Sequence, residues 1–247
     1  MFYYRRGSNY NLIIVMVDKT SPSAKKFQAG QVLLINKPIG WSSFNVVSKI
    51  KHVIRKKYNI KKIKVGHAGT LDPLATGLLI VCTGKFTKTI SEIQKQEKTY
   101  TGTITLGGST PSYDLETEIN TNYNTSHITE ELIYKATRKF TGNINQKPPI
   151  FSALKRDGER LYKKARRGEK ITIESRSVKV SEFNITAIRN LSIDFEIKCS
   201  SGTYIRSIAN DLGVELKSGG YLEKLCRTAI GKHQLLNSIN IESINNL

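Results

Sequence analysis

Apolar residues recur along this chain in short runs whose period switches between two and about 3.6, with glycine and proline marking the breaks. Residues 31–36 read as a short apolar strand, ended by the turn Lys37-Pro38-Ile39-Gly40. Ser42 or Ser43 is placed to cap a helix that turns Phe44, Val47, Ile50 and Ile54 inward and a basic stripe, Lys49, Lys51, Arg55, Lys56 and Lys57, outward. The apolar stretch 77–83 predicts a buried strand. Residues 98–106 alternate strictly, with Tyr100, Gly102, Ile104 and Leu106 on one face and four threonines on the other. Thr129 opens a helix to residue 140 with acids in its first turn, and 178–188 and 193–199 predict two strands joined by a polar turn. Residues 203–217 form a helix with Ile205, Ile208, Ala209 and Leu212 inward. Strands and helices intermix without regular alternation, which favours an α+β fold over a doubly wound sheet. Residues 1–29 lack a sustained period and read as a flexible tail; 30–247 form one domain.

Charge changes this picture most. Thirty-nine Lys and Arg face twenty Asp and Glu, a net charge of +19 that draws the chain to polyanions, with nucleic acid as the leading partner class. No basic amphipathic helix or lipidation motif supports a membrane surface instead. Cys82, Cys199 and Cys226 are far apart and sit in apolar company, as reduced thiols of a cytoplasmic protein do. His52, His67, His127 and His233 have no metal-ligand spacing, so no metal is expected. The apolar run 12–17 after Arg5-Arg6 is too short for a signal segment or a membrane span.

The densest cluster of chemically useful residues is Gly66-His67-Ala68-Gly69-Thr70-Leu71-Asp72-Pro73-Leu74-Ala75-Thr76-Gly77. Taken alone, it fits a tight turn whose Asp caps backbone amides at least as well as it fits a placed reactive group. Several chemistries are excluded. Gly84-Lys85 has Leu79 where a phosphate loop needs its first glycine and Phe86 where it needs Ser or Thr. A dinucleotide fingerprint and a serine nucleophile elbow are also missing, so no cofactor is expected.

Here the loop resembles the catalytic motif of the TruB family, the bacterial tRNA pseudouridine-55 synthases. Four further motifs follow the family's order. Residues 31–43, with Lys37-Pro38 at their centre, resemble the amino-terminal motif, and Lys98-Thr99-Tyr100 resembles the strand with the substrate-stacking tyrosine. Pro148-Pro149-Ile150-Phe151-Ser152-Ala153-Leu154-Lys155, continued by Gly158, Tyr162, Ala165-Arg166 and Gly168, matches the next block. Ser201-Gly202-Thr203-Tyr204-Ile205-Arg206 matches the last, with Gly219-Gly220, Leu225, Arg227 and Gly231 behind it. The chain departs from the pattern at Asn36, where an Asp is usual, at Ala68 for a frequent Thr, and at Thr117 for a Gly. The chain is also expected to lack the carboxy-terminal RNA-binding domain of the PUA type that many relatives carry.

The resemblance implies a mixed, mainly antiparallel central sheet flanked by helices and loops. It implies isomerisation of uridine to pseudouridine at position 55 in the T-loop of tRNA: the N1–C1′ bond breaks, the uracil turns, and C5 takes its place, with no cofactor. The uridine must be flipped out to be reached. By resemblance Asp72 is the essential carboxylate, ionised near neutral pH, and Arg206 pairs with it and lowers its pKa. Tyr100 stacks on the base and offers a proton acceptor; Tyr204 packs beneath it. His67 meets the T-loop without acting as base, Lys37 orders the site loops, and Leu225 walls the pocket; these complete the substrate-binding set. The expected partner is the tRNA T-arm, with no membrane or metal, and the chain is expected to be a monomer. Segment 147–170, rich in Lys and Arg, is the candidate RNA clamp. A non-catalytic tRNA-folding module and a guide-RNA-dependent synthase of the same family are the alternatives.

Overall fold

The computed structural model describes residues 24–169 and 171–246. In chain order its main elements are α1 (Ala24–Ala29), β1 (Val32–Lys37), α2 (Ser43–Lys57), β2 (Val65–His67), β3 (Thr76–Thr83), α3 (Ile90–Lys95), β4 (Lys98–Leu106), α4 (Glu130–Thr137), β5 (Gly142–Gln146), α5 (Leu161–Arg166), β6 (Arg176–Arg189), β7 (Ser192–Cys199), α6 (Ile205–Glu215), β8 (Gly220–Ile230), β9 (His233–Gln234) and β10 (Ile239–Asn240). The strands form one ten-stranded sheet, ordered β10-β1-β3-β8-β4-β7-β6-β5, with β2 added to β3 and β9 to β8. Among the described residues only the β1–β10 and β3–β8 pairs of this sheet are parallel. The sheet is therefore mixed and mainly antiparallel, and the α+β expectation holds.

Strand β3 is the keel of this sheet. Leu79 and Val81 enter one apolar cluster, beneath α2, with Ile35, Ile50 and Ile54. Leu78, Ile80 and Cys82 point the other way into a second cluster with Ile93 and Ile230. Burial on both faces is why the segment is apolar without alternation. A third cluster packs α6, through Ile205, Ile208, Ala209 and Leu212, against Ile104, Phe195 and Ile197 of β4 and β7. Cys82, Cys199 and Cys226 are free thiols. Burial pushes Cys82 and Cys199 up to about 11, which keeps both protonated at neutral pH.

Two expectations need correction. Helix α2 turns Phe44 outward, 72% exposed, and buries Val46, Ile50, Val53 and Ile54. Its phase is set by its first turn. Ser42 and Asn45 close a capping box, and the buried Ser43 hydroxyl accepts from Leu71 N (2.8 Å) and donates to Leu71 O (3.1 Å). Turning Phe44 inward would pull Ser43 off the Asp72 loop. The tail boundary at residue 29 also moves, because α1 buries Phe27 against Tyr58 and Phe27 O accepts from Thr83 Oγ1. The rest of that segment, residues 1–23, lies outside the described residues.

Strand β8 was not anticipated. Its register with β4 slips between Leu222 and Lys224 and again between Arg227 and Ala229, so it carries two bulges. The first lets Leu222 and Leu225, three residues apart, face the same side, opposite Ile104 and Gly102.

Gly77 joins the Asp72 loop to β3 at φ +99°, where β8 crosses so closely that a Cβ would lie 2.4 Å from Arg227 O and 2.8 Å from Arg227 N. Both obstacles are backbone and cannot swing aside. Gly77→Ala is expected to destabilise the fold by about 2 kcal/mol or more in urea unfolding; a loss below about 0.5 kcal/mol would show that β8 yields there.

Candidate active site

The Asp72 loop connects β2 to β3, and neither strand supplies its buried carbonyls with partners. Buried cations do so instead. Lys37, with no exposed surface, donates from Nζ to Trp41 O (2.7 Å), Pro38 O (2.9 Å) and Pro73 O (3.3 Å). Arg227, 1% exposed, donates to Leu78 O (2.8 Å), Gly69 O (3.1 Å) and Thr70 O (3.3 Å). Gly40 N reaches Pro73 O at 2.8 Å. The backbone on both sides of Asp72 is thus fixed by charge-assisted bonds.

Arg206 meets Asp72 from α6. Its Nε lies 2.9 Å from Asp72 Oδ2 and 3.6 Å from Asp114 Oδ2, while its terminal nitrogens donate to Ser112 O and Phe151 O, each at 3.0 Å. Arg206 and Asp114 are buried, whereas 37% of the Asp72 side chain opens onto the cleft. Burial pushes the Asp72 carboxyl above its ordinary value, Arg206 pulls it down, and Asp114 and Glu116 add to the rise. The net direction is upward. Arg206 does lower the carboxyl as expected, but burial, with Asp114 and Glu116 behind it, outweighs that pull.

A cleft of about 760 Å³ brings together Asp72, Tyr100, Tyr204, Arg206 and Leu225. Tyr100 lies on β4 opposite Arg227. Burial raises its phenol, with Arg227 opposing, so it stands neutral at pH 7 and a phenolate proton acceptor is disfavoured. Tyr204 caps α6, and the buried Gln146 side chain grips it, accepting from Tyr204 N (2.7 Å) and donating to Tyr204 O (3.0 Å). Leu225 sits on β8 between the two bulges.

Two of the expected site residues lie elsewhere. Lys37 is not a substrate contact: it has no exposed surface and its ammonium is committed to three carbonyls, which leaves it the loop-ordering part of its expected role. Burial pushes it down to about 8. His67 is half-buried at the end of β2, outside the residues lining the cleft; burial first, then Arg227, lowers its pKa and leaves it neutral at pH 7. Asp114 and Arg227 were missed as site residues. A lone acid in a polar loop gives no signal from spacing, and Arg227 falls in a strand whose alternation is broken.

The model of the TruB family pseudouridylate synthase (N terminal domain) matches residues 55–205. The chain belongs to this family. It is 56% identical over 218 residues to the tRNA pseudouridine synthase B of Flavobacterium johnsoniae, covering 88% of this chain and 95% of that one. With the protein of the same name from Phocaeicola vulgatus it shares 48% over 217 residues, 88% of this chain and 92% of the other. Among solved structures, a Cbf5-Nop10-Gar1 complex matches 91% of this chain at 26% identity with a TM-score of 0.66; the chain spans 57% of that structure's chain. The family's ordered motifs thus converge on one cleft in three dimensions, with Arg227 in its wall and Lys37 behind it.

A raised carboxyl has a consequence for stability. Between the ordinary carboxylate value and the raised one, the folded state binds the Asp72 proton more tightly than the unfolded chain does, so stability falls as pH rises through that window. Asp72→Asn, which keeps a partner for Arg206, is expected to melt no lower than wild type at pH 7, the difference vanishing in acid below the ordinary carboxylate range. Melting curves across pH check this. A variant that melts lower, increasingly so as pH rises, would mean that the attraction of Arg206 outweighs burial.

Proposed function

We infer that the cleft isomerises uridine to pseudouridine in tRNA, at position 55 of the T-loop, with Asp72 as the essential carboxylate. The reading is carried by the Asp72–Arg206 pair at 2.9 Å, open to a cleft that also holds Tyr100 and Tyr204. Relatives at 56% and 48% identity named tRNA pseudouridine synthase B support the reaction and its substrate class. A guide-RNA-dependent synthase rests on fold likeness at 26% identity and is the weaker reading.

The geometry supports the following roles. Asp72 acts as the carboxylate, in attack on carbon or in assisting departure of the uracil. Arg206 is held by two carbonyls and cannot follow substrate motion, so it fixes the carboxylate's direction. Tyr100 and Tyr204 offer ring faces to the flipped base. As N1–C1′ breaks, negative charge passes to the uracil, in a cleft whose wall includes the Arg206 and Arg227 guanidinium groups. Bond formation through C5 then releases the C5 hydrogen as a proton.

Tritium at uridine C5 of a tRNA transcript reports that release. Wild type is expected to release it, Asp72→Asn at least a thousandfold more slowly, roughly the loss seen when a covalent nucleophile is removed, and a transcript with uridine 55 replaced not at all. Undiminished release by Asp72→Asn would remove Asp72 from the chemistry. The wild-type rate is expected to fall as pH drops through the raised Asp72 value, since the carboxylate form is the active one.

Segment 147–170 is the proposed RNA clamp, although Lys170 lies outside the described residues. Part of its charge is tied up internally: Arg167 pairs with Glu159 and Glu169, Arg166 with Glu116, and Lys164 with Asp157. Lys155, Arg160 and Lys163 have no carboxylate partner among the described residues and are exposed. Reversing these three to Glu is expected to weaken tRNA binding and to flatten the slope of log K against log salt by about one for each phosphate left without its cation. Unchanged affinity and slope would dismiss the clamp.

A further inference from the structure

Arg176 opens β6 and lines the same cleft as Asp72, Tyr204 and Arg206. Its guanidinium lies over the Tyr204 ring, 5.1 Å from the centroid, and one terminal nitrogen donates to Gly202 O. Its Nε is shut off from solvent without a hydrogen-bond partner. Gly202 stands at φ +85°, where a Cβ would come within 3.3 Å of the guanidinium, so the Ser200–Thr203 turn is built closely against the arginine. Among the described residues no carboxylate pairs with Arg176, whereas Arg166 and Arg189 each have one and Arg167 and Arg206 each have two.

A guanidinium offers five donors in a planar fork that matches a phosphate. At Arg176 one donor is used, another is buried and idle, and the hydroxyl-bearing residues Ser200 and Ser201 line the cleft beside it. Lys98, also on the cleft wall, already gives its ammonium to Gln94 O and Gln96 O. Arg176 and the exposed Lys95 are therefore the cleft cations with donors to spare, and of the two it is Arg176 that is braced on the Tyr204 ring.

We propose that Arg176 binds the phosphodiester flanking the flipped nucleotide and, through its stack on Tyr204, couples that grip to the placement of the base. The proposal rests on the tRNA-modifying reading above. A nucleotide whose C1′ meets Asp72 brings its own phosphates into the same cleft. Because the Tyr204 backbone is clamped by Gln146, its ring has only its own torsions to adjust. An arginine drawn to phosphate holds that ring in one position, so phosphate binding lowers the cost of orienting the base.

The test uses a synthetic T-arm hairpin in which the linkage 5′ or 3′ of the target uridine is an uncharged methylphosphonate, with binding read by equilibrium titration. Wild type is expected to lose about tenfold at one of the two linkages, the order expected for a charge-assisted bond. Arg176→Gln is expected to bind the all-phosphate hairpin about as weakly, to lose nothing further with the methylphosphonate, and to show a salt slope lower by about one. Arg176→Lys is expected to restore the slope. A further loss in Arg176→Gln equal to that of wild type would reduce Arg176 to a brace for Tyr204 and overturn the proposal. So would a wild type indifferent to both linkages, a result that needs no variant to fold. Binding is read without turnover, so failure to make pseudouridine would strike the functional reading separately.

Discussion

Arg206 carries a full charge with 3% of its side chain exposed, and the site is assembled by the segments that must converge to keep that charge in company. Asp72 comes from the loop before β3, Asp114 and the Ser112 carbonyl from the loop after β4, and the Phe151 carbonyl from the proline-rich segment before α5. A buried guanidinium stripped of its partners costs several kcal/mol, so none of these segments can drift without penalty. One cation shared by two carboxylates leaves the trio net negative. Burial is the main reason that the Asp72 carboxyl rises although an arginine lies 2.9 Å away, and the second carboxylate adds to it.

The Asp72 loop illustrates how irregular backbone is held still. Buried carbonyls need donors, and a loop between two strands cannot draw them from the sheet. Lys37 and Arg227 supply them from opposite sides, and Ser43 ties Leu71 to the first turn of α2. Each tether starts on a regular element, β1, β8 or α2. A loop that would otherwise sample many conformations takes on the rigidity of its scaffold, as a site that positions a single carboxylate requires.

What the sequence made legible was the part governed by local period. β3 is apolar because both faces are buried, β4 alternates because one face is, and α6 carries its stripe at helical spacing; all three were readable. β8 was not, since two bulges shift its phase and place Leu222, Leu225 and Arg227 on one face at spacings of three and two. The orientation of Phe44 was misjudged because the phase of α2 is fixed by a hydroxyl bonded to a loop 28 residues away, which no window of periodicity contains. Five of the seven site residues reached one cleft, because motifs order residues by function where spacing cannot. Asp114 escaped because its importance lies wholly in its distance to Arg206. Lys37 was placed with the substrate contacts because a motif names a residue without saying which way its side chain points.

The electrostatic design of the cleft links these observations. Lys37, Lys98, Arg206 and Arg227 are all buried about it, against the buried Asp114 and the partly exposed Asp72. Burial pushes both lysines down to about 8, so the fold holds these charges near the limit of what it can keep ionised. Such an arrangement is unfavourable in the empty protein and becomes favourable when negative charge arrives. In the proposed reaction a flipped nucleotide brings that charge twice, first on its phosphates and then on the uracil as the glycosidic bond opens. On the proposed reading, the excess of buried cations suits an anionic substrate whose reacting base becomes more anionic still, and Arg206 opposes the burial that raises the Asp72 carboxyl.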